Sequence, residues 1–311
     1  MRIINPIDVT PANGKMTATN IPETDETEYS SATTYALGDK VMVTGTGGGA
    51  ATATHKIYES LIASNTGNDP TDQTNNADKW LEVSATNRWK MFDQRLADPS
   101  TRTGGISITL TLGAIANSVA MFNVDADSVD ITITDPVDGV VYTTTVDLVD
   151  NGSVSDWYHY FYDPIINYRE LVLFDLPLYA AADIDITLNV ASGDASVGEI
   201  ALGRFTEIGD TQFGASIGII DYSRKDRDTF GNAVVIERDY SQRGEFDLIL
   251  QTHQTRIVRN QLAALRATPA VWAGKSDGDW GTLIYGYFRD FDIVLSGPEY
   301  SDCSIQIEGL V

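Results

Sequence analysis

From Ile106 onward, apolar and polar residues alternate with a period of two, and few folds accept that pattern. The stretch "ISITLTL" sets Ile106, Ile108, Leu110 and Leu112 on one face. "VDITIT" does the same with Val129, Ile131 and Ile133, and "IDITLNV" with Ile184, Ile186, Leu188 and Val190. Successive side chains of a strand point to opposite sides, so each stretch predicts a strand with one buried and one wet face. Turn residues separate the strands at 136–139, 150–152 and 192–194. Such strands at such spacing predict an antiparallel, jelly-roll-like β-sandwich over residues 106–208. "DWYHYFYDP" (156–164) reads as one more strand of it, with Tyr158, Tyr160 and Tyr162 on one face and Trp157, His159 and Phe161 on the other.

Beyond residue 208 the text changes. "ASIGIIDYS", "NAVVIERDYS" and "EFDLILQT" are strand-like, and "TRIVRNQLAALRAT" brings the one clear helix. Val258, Leu262 and Leu265 recur at helical spacing, Thr255 suits the N-cap, and Pro269 stops it. "AVWAG", "TLIYGYF", "FDIVLS" and "CSIQIEGL" then resume the strands. Residues 209–311 are expected to form a β-rich α+β domain with one main helix. The fold class is mainly β.

Residues 1–28 read as an N-terminal arm and linker, with Ile3, Ile4 and Ile7 lying on a neighbour. In "TTYALGDKV" (33–41), Gly38 and Asp39 suit a tight turn before a strand carrying Val41 and Val43. Residues 29–84 are expected to form a miniature β module carrying Tyr35, Tyr58 and Trp80. Residues 85–105 are a connector in which Trp89 and Phe92 dock on the next domain. A chain of 311 residues has room for two or three such units.

Charge narrows the partners. The formal net charge is −23, which argues against nucleic acid, since phosphate contacts need Lys and Arg. Residues 103–200 hold 15 acids and one base, Arg169, whereas residues 221–311 hold 14 acids and 10 bases. No run of about 18 apolar residues suits a membrane span, and the start lacks a signal-peptide pattern. Cys303 is the only cysteine and the three histidines are scattered, so no metal or other cofactor is expected. The carboxylate pairs Asp125/Asp127, Asp183/Asp185, Asp277/Asp279 and Asp290/Asp292 read as wet strand faces rather than catalytic dyads.

The order Tyr…Gly-Asp-x-Val…Tyr…Asn-x-Pro…Trp across residues 29–83 resembles the small carbohydrate-binding modules of chitinases and of many phage tail proteins. That resemblance implies a sugar-stacking platform of Tyr35, Tyr58 and Trp80. The insertion "GTGGGAATAT" (45–54) departs from the pattern, and the same three rings suit the mini-core of a docking domain. The C-terminal phrases "DYSRKDRDTFGN", "YGYFRDFDIVLSGP" and "IEGLV", with "NRWKMFD" in the connector, resemble assembly domains of tailed-bacteriophage tail-tip and baseplate proteins. This resemblance implies a non-enzymatic virion tail component, made in the host cytoplasm, whose partners are copies of itself and other tail proteins. Arg224, Lys225 and Arg227 in "YSRKDRD" and the helix residues Arg256, Arg259 and Arg266 are the expected interface cations. A glycan-binding adhesin recognising host-surface polysaccharide is the alternative, and a polysaccharide-degrading tail enzyme comes third.

Overall fold

In the computed structural model, which describes residues 1–45, 53–150, 156–162, 166–227, 229–275 and 281–311, the fold is mainly β. Asp277 and Asp279, most of the glycine-rich insertion, and the turn residues 151 and 152 lie outside the described residues. A five-stranded sheet runs Gly139–Asp147, Ser128–Asp135, Asp183–Asn189, Ile106–Thr111 and Met16–Thr19. Its inner face is the apolar set read from the alternation: Ile106, Ile108, Leu110, Val129, Ile131, Ile133, Ile184, Ile186 and Leu188 are all buried. On the outer face, Thr109 and Thr145 donate to Asp185 and Asp130 at 2.6 Å each. The acids of the alternating strands therefore belong to cross-strand ladders.

The second layer of this sandwich belongs to a much larger sheet. It has ten strands, in the order Glu170–Leu173, Ser118–Phe122, Glu199–Glu207, Arg2–Pro6, Ala270–Ala273, Leu283–Val294, Tyr300–Gly309, Tyr240–Gln251 and Asp210–Thr211, with Ser216–Asp221 also on Tyr240–Gln251. The sheet crosses the expected boundary at residue 208 without a break. The joint is the chain's own start: Ile4 pairs with Phe205 on one side and Val271 on the other.

The N-terminal arm is thus a central strand of its own chain and does not lie on a neighbour. Ile3 and Ile4 point to opposite faces and enter two different cores, one with Phe246, Trp272 and Leu262, the other with Phe122, Tyr285 and Val271. A Cβ on Gly203 would fall 2.1 Å from the Asn5 carbonyl oxygen, so glycine is needed for this pairing. The linker is also tied down. His55 Nδ1 lies 2.7 Å from a Glu23 carboxylate oxygen that accepts from Thr86 at 2.5 Å. Trp89 and Met91 of the connector sit in the sandwich core.

The helix Thr255–Ala264 packs on the large sheet through Val258 and Leu262, with Leu265 buried just beyond it. Thr255 is its first residue rather than its cap. It donates its hydroxyl to the Thr252 carbonyl at 2.9 Å. The stretch "DWYHYFYDP" is not a strand: Trp157–Tyr162 is a short helix. Asp156 accepts the Tyr158 amide at 2.8 Å, the bond an N-cap carboxylate makes. Aromatics at every position satisfy no single period, so the local cap decides.

Cutting out the first strand should split the large sheet. A fragment of residues 106–311, lacking Arg2–Pro6 and Met16–Thr19, is expected to lose its near-UV circular dichroism and aggregate. In the full chain, Ile4→Ala should cost about 3 kcal/mol in denaturant unfolding. A fragment with native dichroism would show that the strand is dispensable.

Candidate functional site

The small module places Tyr35, Tyr58 and Trp80 together, but inside. They join Tyr29, Val41 and Val43 in one buried cluster, and Trp80 is 1% exposed. Trp80 meets Tyr35 edge-on with centroids 5.4 Å apart, and its Nε1 donates to the Asn68 carbonyl at 2.9 Å. These rings offer no face to a sugar. The physical reason is the added ring of Tyr29 and the short strands around it, which close a core that three aromatics alone would leave open.

The curl of the large sheet builds a different site. Phe122 pairs with Glu170 and with Glu199 at one end of the sheet. The curl brings this edge round to Tyr240–Gln251, the strand next to the opposite edge, where Gln242 donates to the Glu170 carboxylate. Between the two edges lies a cleft of about 290 Å3, lined by Phe122, Arg169, Glu170, Tyr240, Gln242 and Tyr285 among others.

Two projections leave the sheet on either side of this cleft. From the Glu170 edge, the ladder of Val149–Asp150 with Ile166–Asn167 leads out to the Trp157–Tyr162 helix. Its Trp157, Tyr158, Phe161 and Tyr162 are 66–77% exposed, with Trp157 stacked on Phe161 and Tyr158 tilted against Tyr162 at centroid distances of 6.2 and 4.9 Å. From the other edge, Ser216–Asp221 and the start of Tyr240–Gln251 continue into a ribbon of Arg224–Arg227 and Ala233–Ile236. All eight ribbon residues are exposed, Val234, Val235 and Ile236 at 46, 62 and 49%. The ribbon tip at Phe230 stands roughly 30 Å beyond the Asp221–Tyr240 pair, at about 3.3 Å per residue.

The expected interface cations are split by this architecture. Arg224, Lys225 and Arg227 lie on the ribbon, Arg224 bonded to Asp226 and Lys225 to Asp221 at 2.6 Å; Asp228 lies outside the described residues. Arg256 and Arg259 are exposed on the helix, and Arg266 is exposed after it. The ribbon leads into the start of the strand Tyr240–Gln251 and the helix follows its end, so the two groups belong to elements joined to opposite ends of that strand. The sequence signal for the ribbon was present: a β-branched "AVVI" faces "RKDR" across a turn at Gly231 and Asn232. The exposed aromatic helix was hidden by its strand-like reading.

Behind Tyr285, which lines the cleft, lie the buried Glu199 and the half-buried Asp93. Glu199 is 4% exposed, accepts the Gln94 amide at 3.0 Å and bonds Tyr285. Burial pushes its carboxyl up to about 8, and the neighbouring Asp93 adds to the rise. Asp93 itself is raised to about 6, mainly by burial, and its Oδ2 is enclosed without a hydrogen-bond partner. Burial also raises Glu170 and Tyr285. Among the described residues, no three His, Cys, Asp or Glu side chains gather as a metal site, and no helix is long and apolar enough to cross a membrane.

A carboxyl raised in the folded state stabilises fully below its unfolded value and loses that contribution as pH rises through the folded one. For Glu199 the window runs from 4.5 to about 8. Glu199→Gln should therefore match the parent melting temperature near pH 5 and exceed it increasingly toward pH 9. Parallel melting profiles across that range would contradict the burial argument.

No family model matches the chain, and no curated protein matches it. Among solved structures it is similar to chitosan-binding module 1 of a chitosanase/glucanase from Paenibacillus sp. IK-5, at 13% identity over 37% of this chain and 82% of that chain, with a TM-score of 0.25. A likeness this slight carries no argument about fold or function.

Proposed function

We propose that the chain is a non-enzymatic structural component of a bacteriophage virion tail, at the tail tip, in the baseplate or at a fibre-docking position, and that it assembles into a symmetric oligomer. The observation that carries the assembly reading is the ribbon. An isolated two-stranded ribbon is marginal in water, and this one exposes Val234, Val235 and Ile236 on strands that form a sheet of their own. A partner's surface removes that penalty. The virion assignment rests on the resemblance of the C-terminal and connector phrases to tail-tip and baseplate proteins. The continuous ten-stranded sheet supports it as a rigid platform from which projections reach neighbours.

The alternative, adhesion to a host glycan, no longer has Tyr35, Tyr58 and Trp80 as its platform, because those rings form a core. The assembly reading therefore leads.

Purified particles provide the test. Quantitative mass spectrometry should find the chain at a fixed copy number per particle, and a particle preparation from a host lacking this chain should be defective in tail assembly. A chain absent from intact particles, and monomeric alone at every concentration, would rule out the proposal.

A further inference from the structure

The strand Ser216–Asp221 leaves one hydrogen-bonding edge open. Its register against Tyr240–Gln251 runs without a bulge from Ser216 opposite Glu245 to Asp221 opposite Tyr240, and among the described residues no strand pairs with its other side. Sheet edges are ordinarily guarded by Lys, Pro, a bulge or a covering loop. The segment "SIGIID" holds no Lys, Arg or Pro. Ile217 and Ile219, on one face of it, are 46 and 63% exposed, and Phe213, which leads into the strand, is 95% exposed.

Two further observations bear on what covers this edge. The protein's own fold gives Gly218, mid-strand, neither a left-handed backbone nor a neighbour within 4 Å of where a Cβ would stand. Glycine inside a strand also marks the close approach of another backbone. Charge singles out a second copy of the chain. The net charge is −23, yet residues 213–227 hold three bases against two acids, so two copies repel each other least here.

We infer that a second copy lays its own Ser216–Asp221 edge antiparallel against this one, about a two-fold axis at Gly218, so that the two large sheets run on as one. This inference rests on the assembly reading above and names the surface it uses. Identical strands that meet antiparallel form an isologous contact, which closes at two copies. The register follows from the side chains. Directly opposite residues share a face, so Ile217 and Ile219 meet their counterparts only where odd positions face odd ones. With Gly218 on the axis, Ile217 of each copy lies opposite Ile219 of the other. An axis at Ile217 would leave Ile219 opposite Ala215, and one at Ile219 would set Asp221 opposite Ile217. The Gly218 register covers four isoleucines and adds backbone hydrogen bonds, as when an extended segment joins an open edge.

Cross-linking and sedimentation equilibrium on the full chain test this, with near-UV dichroism to check that each variant is folded. Directly opposite Cα atoms of an antiparallel pair are about 4.5–5.5 Å apart, within the span of a disulfide. Gly218→Cys should therefore give a covalent dimer on mild oxidation. Ser216→Cys, on the same face, stands about 13 Å from its counterpart in this register and should not cross-link. Cys303 is buried, so the parent should stay uncross-linked. In sedimentation the parent should form a dimer or a larger assembly containing one. Ile217→Lys/Ile219→Lys and Ile217→Glu/Ile219→Glu should each dissociate about a hundred-fold more readily. Their equimolar mixture should yield a heterodimer that neither forms alone, because opposed side chains then carry opposite charges.

Gly218→Cys cross-linking no faster than Ser216→Cys, or charged variants that keep the parent's mass, would overturn this contact while leaving assembly through another surface intact. A parent chain that is monomeric at every concentration, yet present at fixed copy number in particles, would refute the self-pairing and spare the virion reading. An edge-paired dimer of a chain absent from particles would do the reverse.

Discussion

Five residues at the start of the chain hold the molecule in one piece. Arg2–Pro6 fills the gap between Glu199–Glu207 and Ala270–Ala273, and both neighbours depend on it for their backbone hydrogen bonds. Without that strand, two edges inside the sheet would be open, each a row of unpaired amides and carbonyls. The strand also supplies Ile3 to the core beneath the Arg-bearing helix and Ile4 to the core inside the curl. Its amino terminus bonds the Gly209 carbonyl. The sandwich and the C-terminal region therefore share one sheet, although their compositions differ sharply.

The curl follows from this continuity. Strands in a sheet twist progressively, and over so many strands the Glu170 edge comes round to the far strands, here close enough for Gln242 to reach Glu170. The cleft, the buried Glu199 with Tyr285, and the two projections all occupy the end where the edges meet. An acidic body repels a copy of itself over most of its surface. The ribbon, with four bases against three acids over residues 222–238, is a feature that escapes that repulsion, and it rises beside the cleft at Asp239 and Tyr240.

Period-two stretches were legible because one face of each strand is buried against a single core, so Ile106 to Leu112 and Ile184 to Leu188 reported their faces correctly. The helix carrying Val258 and Leu262 was legible for the same reason at its own period. The Arg2–Pro6 strand was not, because a strand buried on both sides reads as a short apolar run and its partners lie about 200 and 270 residues away. The boundaries expected at residues 28 and 208, drawn from changes in local composition and pattern, do not register that pairing for the same reason. The rings of the small module were legible as a group. Whether they face in or out depended on Tyr29, which sequence reading assigned to no core. The Trp157–Tyr162 helix was misread because its aromatics fit either face of a strand, while the deciding bond comes from one capping aspartate.

Hydrogen exchange of backbone amides in the dilute full chain measures the central claim directly: one sheet closed by the N-terminal strand, carrying a ribbon that only a partner can protect. Amides opened only by global unfolding exchange at a common free energy. The account predicts that the strands on both sides of Arg2–Pro6 exchange together and slowly, while Arg224–Arg227 and Ala233–Ile236 exchange fast and slow down when the chain self-associates. Two separate rate classes on either side of the N-terminal strand, or a ribbon as protected as the sheet in the monomer, would contradict it.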